Sequence, residues 1–404
     1  MTDHGNIGVI GAGAIGACFV RRILAHDLTA IAFDINPAVL EPLAAAGARI
    51  VGSPAELASM CSVIVTCVTT PAAVEAVVLG PNGIVETIRP NSLIIETTTS
   101  TPSVSRKIGA ALATRGAEVV DAPVSRGVPA AENGTLSIMV GGERRAVDRA
   151  LPILKMFGTD IIRTGALGSG HVAKALNMGV LGVNFMATAE IMALGLALGF
   201  DRTKLAAEID NGPAASFVSA HHYPKYVLTR RFDSRFTLGL MRKDVGIAAL
   251  IGAETGLPRP YLHRVVDFYD VVSPSNPDGD NTLLFPHIEG QQRRSYMAPE
   301  HIDEVDLVTA LVAMIFLGTR EFIAIAEASG LAARDFLEVL QASSGASRVI
   351  QTHLLDDPHR KISSSSLAAW KDAVTSVSLA QDMPLPMTGL TRDVLCRCAL
   401  GRKN

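Results

Sequence analysis

The stretch Ile7-Gly8-Val9-Ile10-Gly11-Ala12-Gly13-Ala14-Ile15-Gly16 decides the architecture. Its first four residues are apolar or small and read as a short buried strand. The glycines that follow have the spacing G-x-G-x-x-G, and a helical pattern then runs to about His26. That spacing alone is a weak signal. Here it joins a strand to a helix, and Asp34 stands 21 residues after Gly13, at the end of a second strand, Ala30–Phe33. In that setting it marks a dinucleotide-binding turn. Gly11 permits the tight turn, Gly13 lets the backbone approach a pyrophosphate, and Gly16 allows the helix to pack closely on the strand. Ala14 and Ile15 complete the turn, and the phosphate charge faces the helix N-terminus, where N–H groups and the dipole favour an anion. Asp34 is expected to accept hydrogen bonds from the adenosine ribose hydroxyls. No arginine follows among Ile35, Asn36 and Pro37 to receive a 2′-phosphate, so NAD is expected rather than NADP.

Outward from this unit, apolar runs at Val63–Cys67, Leu93–Glu96, Glu118–Val120 and Ser137–Val140 are mostly separated by helix-length segments. Such a rhythm predicts an α/β fold with a Rossmann-type, doubly wound parallel sheet over residues 1–165. From Gly165-Ala166-Leu167-Gly168-Ser169-Gly170, a flexible hinge, the pattern becomes helical only. Helices are expected across the apolar segment Ala175–Phe200, over Arg202–Asp210 and from about Leu238 to Thr255. The segment Ser273–Pro299, rich in Pro, Asn, Asp, Gly and Gln, reads as the longest loop. A second copy of the helical pattern follows. Glu190 to Phe200 resembles Glu321 to Leu331, Leu205–Asn211 resembles Phe336–Ala342, and Lys243-Asp244 is matched by Lys371-Asp372, in the same order and at similar spacing. Duplication is the better explanation. Three domains are therefore expected, at 1–165, 166–290 and 291–404.

The chain has 404 residues, 48% of them hydrophobic and 19% charged, with a formal net charge of -3. That length and composition suit two or three domains with large aliphatic cores. The near-neutral balance, with basic residues clustered only as Arg230-Arg231 and Arg293-Arg294, argues against a nucleic-acid or anionic-membrane partner. Ala175–Phe200 is long and apolar enough for a membrane span, but Asn177, Asn184 and Glu190 interrupt it, so a buried helix of a soluble protein is expected. The five cysteines, Cys18, Cys61, Cys67, Cys396 and Cys398, are odd in number and scattered, which suggests no disulfide framework and no metal site. With no basic signal-like segment around Met1–His4, a cytoplasmic location is expected.

Three further stretches carry a family resemblance. Asp121-Ala122-Pro123-Val124-Ser125-Arg126-Gly127, followed by Gly134 to Gly142, resembles the substrate signature of the β-hydroxyacid dehydrogenases. Gly168 to Asn177 resembles the start of their catalytic helix, and Phe236 to Asp244 their later Lys-Asp motif. The match runs from about residue 5 to 258 in the right order. This family includes 3-hydroxyisobutyrate dehydrogenase and tartronate semialdehyde reductase, with 6-phosphogluconate dehydrogenase as a larger relative. The resemblance implies a dehydrogenase that moves hydride between nicotinamide and the alcohol carbon of a small hydroxy acid. It makes Lys174 the general acid/base, with Asn177, three residues on and on the same helix face, holding the substrate hydroxyl or orienting the lysine. Ser125 and Gly127 are to present an Oγ and backbone N–H groups to the substrate carboxylate. Arg126 stands where most of the family has glycine, and either adds a clamp for a second acidic group or points to solvent. Met178 replaces a second amide of the family. Val68, Thr69 and Thr99 match cofactor contacts. Lys243 matches a lysine near the nicotinamide end, with Asp244 as its partner, or the two form an ordinary surface pair.

Setting Glu190 on Glu321 places Val305 on Lys174 and Val308 on Asn177, so the second copy lacks the catalytic pair. In shorter family members this helical domain packs against that of a neighbouring subunit, whereas the phosphogluconate relative carries it in duplicate. Residues 301–404 are thus expected to supply that packing surface in cis, and a homodimer stays compatible with the sequence. Three other readings have less support. Oxidative decarboxylation lacks the glutamate seven residues after the lysine, where Leu181 stands, and the relatives' His-Asn pair. Imine reductases typically lack the lysine. A non-catalytic NAD-binding sensor would not need Ser125, Lys174 and Asn177 together.

Overall fold

A computed structural model describes residues 6–292, 302–378 and 385–399. The expectations for Met1–His4, Arg293-Arg294 and the end of the Ser273–Pro299 segment lie outside the described residues. Nine strands form one sheet: β1 (Ile7–Ile10), β2 (Ala30–Phe33), β3 (Arg49–Ile50), β4 (Val63–Thr66), β5 (Leu93–Glu96), β6 (Glu118–Asp121), β7 (Val124–Ser125), β8 (Leu136–Gly141) and β9 (Gly158–Gly165). Their order is β3-β2-β1-β4-β5-β6-β8-β7, with β9 paired to β8. From β3 to β6 every pair is parallel, as the sequence rhythm predicts. Beyond β6 the sheet is mixed, because β8 runs antiparallel to β6 and β7 and parallel to β9. The order reverses between β1 and β4, and in open α/β sheets ligands sit outside the strand carboxyl ends at such a switch.

Two apolar layers cover the sheet. One collects Val9, Phe19, Val65, Ile95 and Phe157 on one face, and the other collects Ile10, Leu57, Ile64, Ile94 and Ile108 on the opposite face. This burial on both sides is why the strands read as continuous apolar runs rather than alternating ones. Several helices start with a hydroxyl residue followed by proline. Ser53 Oγ accepts from Glu56 N at 3.1 Å ahead of Pro54–Met60, and Thr70 Oγ1 accepts from Ala73 N at 3.1 Å ahead of Pro71–Leu79. The side chain satisfies an orphan N–H, and proline occupies a position whose own N–H would be unpaired.

The chain divides into two compact units, Met1–Ala175 with Gly330–Asp335, and Leu176–Ser329 with Phe336–Asn404. Both helical copies fall within the second of these units. Its centre holds two long helices, Ser169–Ala197, which begins in the first unit, and Glu304–Ala328. Both are long and apolar enough to cross a membrane, but 89% and 67% of their most apolar windows are buried within the protein. The two helices come close where side chains are small. A Cβ on Gly179 would lie 2.1 Å from Phe322, and one on Gly318 would lie 2.8 Å from Val183.

The two copies also brace each other. Glu190 accepts from Met387 N at 2.8 Å and Thr388 N at 3.0 Å, in the first turn of Pro386–Ala399. Glu321 accepts from Tyr261 N at 3.0 Å and Leu262 N at 2.8 Å, in the first turn of Pro260–Val272. Each copy thus caps a helix of the other. One expected loop is a correction, since Leu284–Gln292 is helical. Leu284, Phe285 and Ile288 are buried there, and Glu289 pairs with Arg202 at 2.6 Å, so tertiary burial outweighs a loop-like composition.

Candidate active site

Strand register places the candidate residues along one edge of the sheet. Ile10 pairs with Phe33 and Thr66, Thr66 with Glu96, and Glu96 with Asp121. The residues that follow these strand ends therefore emerge side by side: Gly11, Asp34, Val68 and Thr69, Thr97 to Thr99, and the segment leading to Ser125. Thr69 is exposed, Val68 and Thr99 are half-buried, and Ser125 is buried where β7 pairs with β8.

The glycine turn fits a dinucleotide. Gly11 has φ +90, and a Cβ there would lie 2.3 Å from the Cys67 carbonyl oxygen, while one on Gly16 would lie 1.9 Å from that of Gly11. By contrast, a Cβ on Gly13 would meet nothing within 4 Å, which leaves an open face beside exposed Ala14 and half-buried Ile15. The helix Ala14–Ala25 has no side-chain cap, unlike the Ser-Pro and Thr-Pro starts elsewhere, so its first turn can receive an anion. Asp34 is held in place, accepting from Ala12 N at 2.6 Å and Asn36 N at 2.8 Å. Its carboxylate retains lone pairs for ribose hydroxyls. Ile35 beside it is 93% exposed and offers an apolar surface to a base, a feature that sequence reading passed over.

Lys174 and Asn177 lie one turn apart on the long helix, with Lys174 only 7% exposed and Asn177 fully buried. The first turn of that helix is fastened to the sheet by two buried acids. Asp121 Oδ1 accepts from Gly168 N at 2.7 Å and Oδ2 from His171 N at 2.9 Å. His171 Nε2 lies 2.7 Å from Glu96 Oε2, with both side chains buried. Glu96 Oε1 accepts from Thr98 N at 2.7 Å, and Thr98 Oγ1 accepts from Val68 N at 3.1 Å. A continuous polar chain thus links the two candidate cofactor loops to the helix that carries Lys174. Burial raises the Asp121 carboxyl above its ordinary range, although the charge of His171 and two N–H donors oppose this. For His171, burial works against the cation, but the charge of Glu96, the contact with it and the charge of Asp121 prevail and raise the imidazole. Asp121 and His171 fall inside stretches that the sequence marks out, without a role that the sequence assigns. The signal was a charged or titratable residue at the end of each of two central strands and at a helix start.

Arg126 has partners within its own unit. Its backbone is left-handed at φ +82, and its guanidinium donates to the Thr135 carbonyl at 3.0 Å and to Asp160 Oδ2 at 2.7 Å. Its guanidinium is thus held by β9 of the same unit while the residue stays exposed. Gly127, also left-handed at φ +73, is exposed. In the helical unit, Lys243 is partly exposed and sits 3.2 Å from the buried carboxylate of Asp244. Their counterparts Lys371 and Asp372 are both exposed. The counterpart of Lys174 differs more sharply, because Val305 is 70% exposed. Among the described residues, no group of three or more His, Cys, Asp or Glu is placed to hold a metal ion.

This arrangement defines a nucleotide-dependent oxidoreductase, and comparison with known proteins gives the family. Residues 6–165 match the NAD binding domain of 6-phosphogluconate dehydrogenase, and residues 168–286 match the family described as NAD-binding of NADP-dependent 3-hydroxyisobutyrate dehydrogenase. An L-threonate dehydrogenase of Cupriavidus necator is 32% identical over 70% of this chain and 97% of its own length. For 2-(hydroxymethyl)glutarate dehydrogenase of Eubacterium barkeri the figures are 31%, 65% and 88%. A solved 3-hydroxyisobutyrate dehydrogenase of Mycobacterium tuberculosis superposes with a TM-score of 0.66 at 28% identity, over 70% of this chain and 99% of that one.

The chain belongs to the β-hydroxyacid dehydrogenase family, NAD(P)-dependent oxidoreductases that act on the CH–OH group of hydroxyacids. About three tenths of it has no counterpart in those shorter relatives. The fold of the whole matches 6-phosphogluconate dehydrogenase of Plasmodium falciparum, with a TM-score of 0.75 over 99% of this chain at 14% identity.

Proposed function

We propose that the protein oxidises the alcohol carbon of a small-to-medium β-hydroxy acid with NAD, using Lys174 as general base, and reduces the carbonyl product in reverse with Lys174 as general acid. The observation that carries this reading is a lysine 7% exposed, one turn from a fully buried asparagine, on a helix whose first turn is fastened to the ends of β5 and β6. An amine withdrawn from water, in a family that oxidises hydroxyacids, is suited to exchange a proton with a hydroxyl.

Bound NAD supplies the hydride acceptor. Lys174 takes the hydroxyl proton as the C–H bond breaks, and Asn177 holds the same oxygen. Ser125 Oγ, with the N–H groups of the turn to Gly127, receives the substrate carboxylate, and Arg126 is left out of this set because Asp160 already holds it. Asp34 favours NAD, since a 2′-phosphate would meet a carboxylate fixed by two backbone N–H groups. Val68, Thr69 and Thr99 contact the cofactor, and Lys243 is the lysine of its nicotinamide end. A cytoplasmic location belongs to the same reading.

The test is NADH formation with 3-hydroxyisobutyrate, L-threonate and 2-(hydroxymethyl)glutarate, the acids of the related enzymes, each with NAD and with NADP. One acid should be turned over, faster with NAD. Lys174→Ala should lower kcat about 10²–10⁴-fold while NAD still binds. A Lys174→Ala enzyme as fast as wild type would refute the role of the lysine, and a preference for NADP would refute that of Asp34.

A further inference from the structure

The second helical copy has neither the lysine nor the asparagine, yet one of its turns reaches the asparagine of the first. Asn177 Nδ2 donates to Ser344 Oγ at 3.2 Å, and Asn177 Oδ1 accepts from Gly345 N at 2.9 Å. Asn177 and Asn184 are fully buried, Ser343 is 3% exposed and Ser344 7%. The Gly345 carbonyl accepts in turn from Asn184 Nδ2 at 3.5 Å, one further stretch along the same helix.

This contact is one half of an internal two-fold relation. Setting Glu190 on Glu321 also sets Ser216 on Ser347, and these two residues bridge in antiparallel fashion. Phe217 N donates to Ala346 O at 2.9 Å and Arg348 N to Ala215 O at 2.7 Å. A π-helix follows each, Val218–Val227 and Ile350–Leu354. On the mirrored side Val308 stands in place of Asn177, and Pro213 and Ala214 in place of Ser344 and Gly345; a Cβ on the preceding Gly212 would lie 3.6 Å from the valine. One half of the symmetric pair is polar and the other apolar.

The polar half has a definite chemical consequence. A backbone N–H can only donate, so Gly345 N fixes Oδ1 on its side of the amide. Turning the carboxamide over would set an NH2 group against that N–H in a buried site, leaving donor facing donor. Ser344 takes one of the two Nδ2 hydrogens. The second has Met178 Sδ, a weak acceptor, at 3.8 Å, which a substrate oxygen can displace, so Asn177 offers the substrate a donor and not an acceptor.

We propose that the Ser344–Gly345 turn is a positioning element, supplied by the duplicated copy, which locks Asn177 as a hydrogen-bond donor toward the oxygen of the CH–OH group being oxidised. The proposal rests on the reading of Asn177 as a substrate contact. It gives the second copy a part in the reaction beyond packing.

A double-mutant cycle in the full chain tests it, with the acid that wild type turns over best. Ser344→Ala should lower kcat/KM about 3–10-fold through kcat, with KM for NAD unchanged, and Ser344→Thr should recover most of the loss. Gly345→Ala should be worse, because its Cβ would lie 2.8 Å from Asn177 Oδ1 and 2.7 Å from Leu340. In an Asn177→Ala background, Ser344→Ala should change kcat/KM by less than about twofold. If Asn177→Ala itself matches wild type, the reading of Asn177 is wrong. If Asn177→Ala is impaired while Ser344→Ala is not, or if the two losses multiply, the lock is wrong. A second readout does not depend on turnover. The side-chain amide protons of Asn177, assigned by their disappearance in Asn177→Ala, should exchange slowly in wild type and at least about tenfold faster in Ser344→Ala. Equal exchange in the two proteins would overturn the proposal.

Discussion

Arg126 has a partner that its motif does not announce. A long cation in a substrate signature invites a role in binding an acid, and the motif by itself offers no other partner. Its partner is Asp160 on β9, a strand that composition alone did not reveal, so the ion pair was not legible. The left-handed backbone at φ +82 explains why glycine suits this position. Holding an L-residue there costs roughly 1–2 kcal/mol, whereas a half-exposed ion pair returns about 0–1 kcal/mol. Arg126→Gly is therefore expected to melt within a few degrees of wild type and to keep kcat/KM within about threefold on a monocarboxylic substrate, as measured by calorimetry and steady-state assays. A rise in KM of tenfold or more would restore the arginine to the substrate site. Asp34 is the opposite case. Its position in the sequence, just past β2, already placed it beside the glycine turn, and the bond from Ala12 N fits that placement.

Helices in this protein end on one another's charges, and that gives its stability a pH dependence. Burial pushes the Glu190 carboxyl up to about 7, against the N–H donors of Met387 and Thr388 and the charge of Arg264. Burial likewise pushes Glu321 up to about 7, against the N–H donors of Leu262 and Tyr261 and the charge of Arg259. An acid whose folded value lies above its unfolded value binds more protons in the native state. Its contribution is fully present below about 4.5 and is lost as pH rises toward about 7. Each group accounts for a change on the order of 3 kcal/mol across that window. Melting of wild type should therefore fall between pH 5 and pH 8 by several degrees more than that of a Glu190→Gln/Glu321→Gln double variant. Parallel curves for the two proteins would show that the caps do not titrate. The repeat that contains both glutamates was visible in the sequence. Their crossed pairing was not, because Pro386 and Pro260, which open the capped helices, lie far along the chain from Glu190 and Glu321 respectively.

At the scale of the whole molecule, the two helical copies form one unit built across an internal two-fold. Phe322 packs over Gly179, Val183 over Gly318, and each glutamate serves the other copy. Removing the second copy would bare the apolar face of Ser169–Ala197, at roughly 25 cal/mol for each Å² exposed. It would also strip Glu190 of its donors. A chain ending at Glu300 is expected to aggregate on expression, as read by size-exclusion chromatography. A soluble truncation with full activity would refute the packing role of residues 301–404.

Sequence by itself determined the strands β1, β2, β4, β5, β6 and β8, the glycine turn with Asp34, the start of the long helix with Lys174 and Asn177, and the duplication. Each of these depends on residues near one another in the chain, so periodicity, turn chemistry and spacing carry the information. Only the tertiary structure decided that Glu96 reaches His171, that Asp160 claims Arg126, that the copies cap each other and that Ser344 and Gly345 hold Asn177. Those contacts join side chains distant in sequence, and they exist because burial removes water as the alternative partner for every polar atom involved.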